Sequence, residues 1–203
     1  MKFTTFFSKL QEASWYRAFL EPVINEVDSK GTLLDIGTGS GKLLQILYNE
    51  KGLACTGVDT NADMLAEARN KLKNTEVELI EIKADAKLPF KKNSFDHITI
   101  CSVLFHLKDN SKDKMLSDAL GLLKEGGKII ILTPTGKGNI LKLSKHFFSF
   151  ENRGIYTWHR ATKKRARSWF KKNYLEQYTS NNKLNYKREL VMNEFALLEV
   201  IMK

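Results

Sequence analysis

Between Gly31 and Pro134 the chain alternates short apolar runs with amphipathic stretches. TLLDIG (32–37), LACTGVD (53–59), VELIEIK (77–83), FDHITIC (95–101) and KIIIL (128–132) have the length and composition of strands. The stretch 40–50 carries Leu43, Leu44, Leu47 and Tyr48 on one side, and 61–73 carries Leu65, Ala68 and Leu72, as helices do. Thr60, three residues before Asp63, predicts the capping pair of the second of these helices. A further helix at 111–124 is expected to stop at Gly126-Gly127, and Pro134 to close the strand after it. Strands alternating with helices of this length predict right-handed βαβ units, hence an α/β fold whose parallel sheet is covered on both faces.

The flanks have a different texture. Residues 2–27 place Phe3, Phe6, Phe7, Leu10, Tyr16, Phe19, Leu20 and Val23 at roughly helical spacing, which predicts one or two amphipathic helices. Beyond 136 the pattern predicts a helix near 138–149, a Lys/Arg-rich helix near 160–173, and strands near 174–180 and 194–202. No repeat and no linker interrupts the chain, and 203 residues suit one domain. The expected organisation of 1–203 is an N-terminal helical lid (1–30), a core (31–135), a basic helical insertion (136–173) and C-terminal strands (174–203).

Composition narrows the class. With 42% apolar and 28% charged residues the chain has the make-up of a globular protein. No apolar run approaches the ~18 residues of a membrane span, and the start, MKFTTFFSKLQE, lacks the sustained apolar stretch of a signal peptide. Cys55 and Cys101 fall in strand-like runs, too few for a disulfide scaffold and without the clustered histidines of a zinc site, so a reducing cytoplasm is the expected location. Residues 1–135 carry 18 basic and 18 acidic side chains and residues 136–203 carry 15 and 5, so the whole net charge of +10 belongs to the last third.

The sharpest local signal is LLDIGTGSGK (33–42), where a strand ends in Asp35 and Gly37, Gly39 and Gly41 make a tight turn into a helix. Such a turn lies where open α/β sheets bind ligands. A phosphate-binding P-loop would need glycine at position 36 and Ser or Thr at 43, which are Ile36 and Leu43. A dinucleotide fingerprint would need a small residue at 42, which is Lys42. The pattern D-x-G-x-G-x-G, followed by GVDTNADML (57–65), ADAKLPFKKNSFDHITICSVLFHL (84–107) and LLKEGGKIIILTP (122–134), resembles the class I S-adenosylmethionine-dependent methyltransferases. Within them it is similar to the ubiquinone/menaquinone-biosynthesis branch, whose D-A-x-x-L-P-F…N-S-F-D signature stands at 85–96. The resemblance covers roughly 31–135.

It implies a doubly wound, Rossmann-like, seven-stranded and mostly parallel sheet with helices on both faces and an antiparallel strand near the C-terminus. It also implies S-adenosylmethionine as cofactor. By resemblance, Gly37, Gly39, Ser40 and Gly41 pack backbone against its methionine and ribose portions. Asp59, with Thr60 beside it, is placed for the ribose hydroxyls, a diol that suits a carboxylate's two acceptor oxygens. Asp85 and the Ala86 amide would read the adenine edge with Met64 against its face, and Asp35 would hold the loop or reach the cofactor's amino group. Ser102 would border the methionine end. Each has a plainer alternative: Asp59 as a helix cap, Met64 as core, Asp35 and Asp85 as loop or turn residues.

The acceptor is less defined. The slot after the fourth strand reads CSVLFH, without the [DN]-P-P-[YF] of adenine amino-methylation or the Pro-Cys of cytosine-C5 enzymes. His106 is the nearby group that could act as a general base at neutral pH, or only shape the pocket. Phe3, Phe6, Phe7, Trp15 and Tyr16 could form an aromatic lid or simply pack. The expected activity is methyl transfer by in-line displacement to a small molecule. The alternatives are an RNA or protein methyltransferase that docks nucleic acid or protein through Lys163, Lys164, Arg165, Arg167, Lys171 and Lys172, and a cofactor-binding protein without catalysis.

Overall fold

The computed structural model describes residue 8, residues 10–147, residue 149 and residues 151–203. Phe3, Phe6 and Phe7 lie outside the described residues. Helix α1 spans Ser14–Glu26. Then β1 (Thr32–Ile36), α2 (Lys42–Lys51), β2 (Ala54–Asp59), α3 (Ala62–Lys71), β3 (Glu78–Glu81), β4 (Phe95–Cys101), α4 (Asp109–Leu122) and β5 (Leu123–Pro134) alternate along the chain. Helices α5 (Ile140–Phe147), α6 (Gly154–Lys172) and α7 (Tyr174–Asn181) precede the hairpin of β6 (Asn185–Val191) and β7 (Ala196–Met202).

The seven strands form one sheet in the order β3-β2-β1-β4-β5-β7-β6. Strands β1 to β5 are mutually parallel, and β7 runs antiparallel between β5 and β6. This is the doubly wound, mostly parallel sheet expected from the sequence. Period-two alternation divides each central strand between two cores. Ile130 and Leu132 of β5 join α1 and α2 residues such as Phe19, Leu20, Leu44 and Leu47, while Ile129 and Ile131 join Leu116, Ala119 and Leu122 of α4 on the other face.

Helix α6 belongs to both layers. Ile155 and Trp158 enter the first core and Trp169 the second. It packs on β5 and on the short turn Leu104–His106 after β4. The short turn just before it also fixes α1: the Asn152 carboxamide oxygen accepts from Trp15 N at 3.1 Å and Ser14 Oγ at 3.0 Å, supplying a cap that the preceding Ala13 cannot. Trp158 stacks 5.3 Å from Trp15 and 5.0 Å from Phe19 between ring centroids.

Four local expectations are corrected. Residues 174–180 are helix rather than strand, because Leu175 and Thr179, one turn apart, are the buried positions and the Thr179 hydroxyl bonds back to the Leu175 carbonyl. The Gly126-Gly127 pair does not stop a helix. Helix α4 ends at Leu122, β5 begins at once, and the glycines form a bulge where Phe95 pairs with Leu123 but His97 with Lys128. A Cβ on Gly127 would stand 2.8 Å from the Asp96 carbonyl, so only glycine lets the strands approach there. Finally, α3 is capped by Asn61, whose side chain accepts from Met64 N at 3.0 Å, and not by Thr60. The basic helix also begins at Gly154, earlier than the expected 160.

Candidate cofactor and acceptor site

A cavity of about 870 Å³ opens at the carboxyl ends of β1, β2 and β4, and is walled on its far side by residues 10–20 and by α6. Asp35, Gly37, Gly39, Asp59, Thr60, Met64, Asp85, Ala86, Ser102 and His106 all line it. Ser40 and Gly41 do not. Ser40 is fully buried behind the loop, where its hydroxyl bonds to Gln11 and accepts from Lys71 Nζ at 3.0 Å. A Cβ on Gly41 would meet Leu72 Cδ1 at 2.8 Å, so this glycine packs the loop against α3 rather than facing the cavity.

The loop's hydrogen bonds say what it can hold. Gly37 N and Thr38 N both donate to the Val58 carbonyl, Gly41 N to the Thr38 carbonyl, and Gly39 N to Asp59 Oδ2 at 2.8 Å. A pyrophosphate cradle needs such N–H groups free. Here they are used within the loop, and the carboxylates of Asp35 and Asp59 face the same space, which disfavours a phosphate and suits a neutral or cationic nucleoside. Gly37 has φ 79°, and a Cβ there would lie 2.3 Å from Val103 Cγ2.

Asp59 ends β2 half-buried, with Oδ2 on Gly39 N and Oδ1 accepting from Asn61 N at 2.9 Å. Each oxygen keeps a lone pair for a ligand. Asp35 is buried at the sheet's centre and accepts from Thr99 Oγ1 at 2.7 Å. Burial pushes its carboxyl up to about 6, with the Thr99 hydroxyl opposing and the Asp59 charge adding to the shift. Asp85 has φ 57° and is exposed at its turn, while the Ala86 N–H already donates to the Lys83 carbonyl at 3.1 Å. The amide expected to read an adenine edge is therefore engaged, and the Asp85 side chain is the free polar group there.

At the opposite end, Ser102 (φ 58°) turns the chain out of β4, and His106 stacks on Phe105 with centroids 4.0 Å apart. Arg165 of α6 reaches His106: its Nη1 stands 3.1 Å from the imidazole Nδ1. A guanidinium has only donors, so Nδ1 accepts and the proton sits on Nε2. Partial burial and the Arg165 charge both lower the His106 pKa, which favours the neutral ring.

Residues that sequence reasoning missed come from the N-terminal segment. Glu12 bridges Lys42 and Lys71, each at 2.6 Å, and Gln11 donates to the Tyr16 hydroxyl at 2.8 Å. Tyr16 lines the cavity with its phenolic proton unspent, and burial with the nearby Cys101 and Asp35 keeps it protonated. Trp15, by contrast, is core rather than lid. The buried hydroxyl of Ser102 lines the cavity without a partner, which marks where a ligand's polar atom fits. Among the described residues no group of His, Cys, Asp and Glu forms a metal site, and no helix is long and apolar enough to cross a membrane.

Fold and site together define a Rossmann-like domain with one large cavity at the carboxyl edge of its parallel strands. Residues 34–131 match the family described as "Methyltransferase domain". The chain is 36% identical over 126 residues to the ubiquinone/menaquinone biosynthesis C-methyltransferase of Pseudoalteromonas translucida, a match covering 58% of this chain and 49% of that protein. The Escherichia coli K12 protein of the same name is 38% identical over 108 residues, 50% of this chain and 41% of that one. The chain thus spans about half the length of the curated relatives it matches. Solved structures share the fold across nearly all of it: a SAM-dependent methyltransferase from Aquifex aeolicus has a TM-score of 0.67 at 17% identity, covering 96% of this chain and 97% of that one. A candidate S-adenosyl-L-methionine-dependent methyltransferase from Methanococcus maripaludis has a TM-score of 0.75 at 18% identity, covering 98% of this chain and 91% of that one. Residues 34–131 of this chain thus match a methyltransferase domain and resemble the ubiquinone/menaquinone-biosynthesis C-methyltransferases, a likeness that implies S-adenosylmethionine as cofactor.

Proposed function

We propose that the protein transfers a methyl group from S-adenosylmethionine, by in-line displacement, to a small-molecule acceptor. Carbon is the first candidate atom, after the names of the relatives. One observation carries the reading. The cavity that holds Asp35, Asp59, Met64 and Asp85 continues past Ser102 to His106 and Arg165, leaving room beyond the methionine end. A binding protein without catalysis would have no use for that extension. At about 870 Å³ the cavity is near the top of the usual range for ligand sites, enough for a nucleoside and an acceptor together.

S-adenosylmethionine, when bound, supplies an electrophilic methyl on a sulfonium that carries its own leaving group. The chain's task is alignment and exclusion of water. Asp59 accepts the ribose hydroxyls with its spare lone pairs, Asp85 accepts from the adenine amino group, and Met64 lies against the base. Asp35 offers a buried carboxylate to the cationic amino group, and the orphaned Ser102 hydroxyl gains a partner at the methionine end. Tyr16 and His106 border the acceptor, Tyr16 as a donor and His106 as a neutral imidazole able to take a proton at Nδ1 once Arg165 releases it.

The test is binding of S-adenosylhomocysteine by titration calorimetry. Asp59→Ala is expected to weaken it about 10- to 100-fold, the loss of charge-assisted hydrogen bonds worth about 1.5–3 kcal/mol. Unchanged affinity would remove Asp59 from the site.

A further inference from the structure

The two ends of the cavity differ in charge. At the glycine-loop end the carboxylates of Asp35, Asp59 and Asp85 outnumber Lys83, since Lys42 is tied to Glu12. At the far end stand Arg165 and Lys108. Neither has a carboxylate within ion-pair distance among the described residues, whereas Lys114 and Asp118 on the nearby wall neutralise each other at 2.7 Å.

Arg165 is held there by its helix. Trp158, Thr162, Ala166 and Trp169 bury one side of α6, and Trp169 Nε1 donates to Glu199 at 3.3 Å. Arg167 Nε donates to the Gly136 carbonyl at 2.8 Å, fixing the helix to the loop after β5. The adjacent stripe, Thr157, Ala161 and Arg165 at intervals of one turn, is left to face the cavity. Two small residues followed by an arginine make a smooth wall that ends in a positive charge.

We propose that Arg165 selects acceptors carrying an anionic oxygen group, a carboxylate or a phosphate, on an apolar body. This deepens the methyltransferase reading and rests on it. The polar groups at that end are donors: the guanidinium has five N–H bonds and spends one on His106, His106 presents Nε2–H, and Lys108 adds an ammonium. A surface of donors with uncompensated positive charge calls for an anion, and the planar fork suits a carboxylate or phosphate by two parallel bonds. Phe105, Met115 and Trp158 line the same cavity and would hold the apolar body. An anion that draws Arg165 to itself also frees the His106 Nδ1 lone pair, so the group that selects the acceptor would uncover the base beside it.

The experiment titrates the full chain saturated with S-adenosylhomocysteine with three probes of one shape: benzoate, phenyl phosphate and neutral benzamide. At least one anion should bind about 10-fold or more tightly than benzamide, the size expected of a charge-assisted pair. Arg165→Gln should abolish that preference while leaving S-adenosylhomocysteine affinity within about 2-fold, and Arg165→Lys should restore it in part. Preference for phenyl phosphate assigns a phosphate and preference for benzoate a carboxylate. Equal binding of all three probes, or a preference that survives in Arg165→Gln, overturns the inference and leaves the methyltransferase reading intact. Failure of the wild-type chain to bind S-adenosylhomocysteine overturns both.

Discussion

Burial raises the Asp35 carboxyl to about 6, well above the usual carboxylate value near 3.9, so the folded protein holds a proton there that the unfolded chain releases. Stability then falls as pH rises from about 4 to 6, and the cost, at most about 3 kcal/mol for about two pK units, remains in force above that window. Asp35→Asn, which keeps the acceptor for Thr99, is expected to raise the melting temperature by several degrees at pH 8 and to lose that advantage below about pH 4. The same variant should bind S-adenosylhomocysteine more weakly, and scanning calorimetry with and without ligand reads both effects. Asp35 and Asp59 were legible in the sequence because each ends a strand beside the glycine loop. The engagement of the Ala86 amide was not, since it depends on a turn closed onto Lys83. Asp96 shows a similar limit. Its place in the N-S-F-D signature was visible, but its work of holding Thr32 N and Oγ1, each at 2.8 Å, appears only when β1 and β4 lie side by side.

Two elements close the site from outside the matched region, and they hold by different forces. Helices α1 and α6 meet through Trp15, Phe19 and Trp158 in the core, where removing a large ring costs about 3–5 kcal/mol. The residues just before α1 are tied to the start of α2 and the end of α3 by Glu12 with Lys42 and Lys71, pairs around a half-exposed carboxylate whose contribution to stability is small. Trp158→Ala is therefore expected to lower stability by about 3–5 kcal/mol in denaturant titration. Glu12→Ala should leave the midpoint nearly unchanged but speed S-adenosylhomocysteine release severalfold in stopped-flow, because the segment over the cofactor loses its tether. Sequence periodicity could place α1, yet Glu12 stands about 30 positions or more from its partners Lys42 and Lys71, and no local pattern announces such pairs. Strand β6 escaped for another reason: NYKRELV is an edge strand rich in charge, with no apolar run to mark it.

Across the whole molecule the charge is divided as the sequence divides it, with residues 1–135 balanced and the +10 excess beyond. Helix α6 splits that excess further. Arg160, Lys164, Arg167 and Lys171 are exposed and Lys163 is half-buried, whereas Arg165 lines the cavity and Lys172 lies 3.8 Å from Asp109. The outer row is of the kind that holds phosphate backbones without reading sequence, so single-stranded RNA should bind weakly, at about 10⁻⁴–10⁻⁶ M, with an affinity that falls steeply with salt in filter binding. Affinity that persists at high salt would point to a dedicated RNA acceptor site. The five parallel strands and their order of appearance could be read from the chain; which of them sits in the middle, and that the C-terminal hairpin completes the sheet, could be taken only from resemblance.

The position of β7 has a consequence for how the molecule is made. Residues 128–134 of β5 find their antiparallel partner in residues 196–202, so one side of the most buried strand stays unpaired until a segment more than 60 residues downstream is available. During synthesis the growing chain therefore carries an open apolar edge, the kind that joins one molecule to another. Yield from an expressing cell should thus depend on how promptly the final hairpin arrives to cover it.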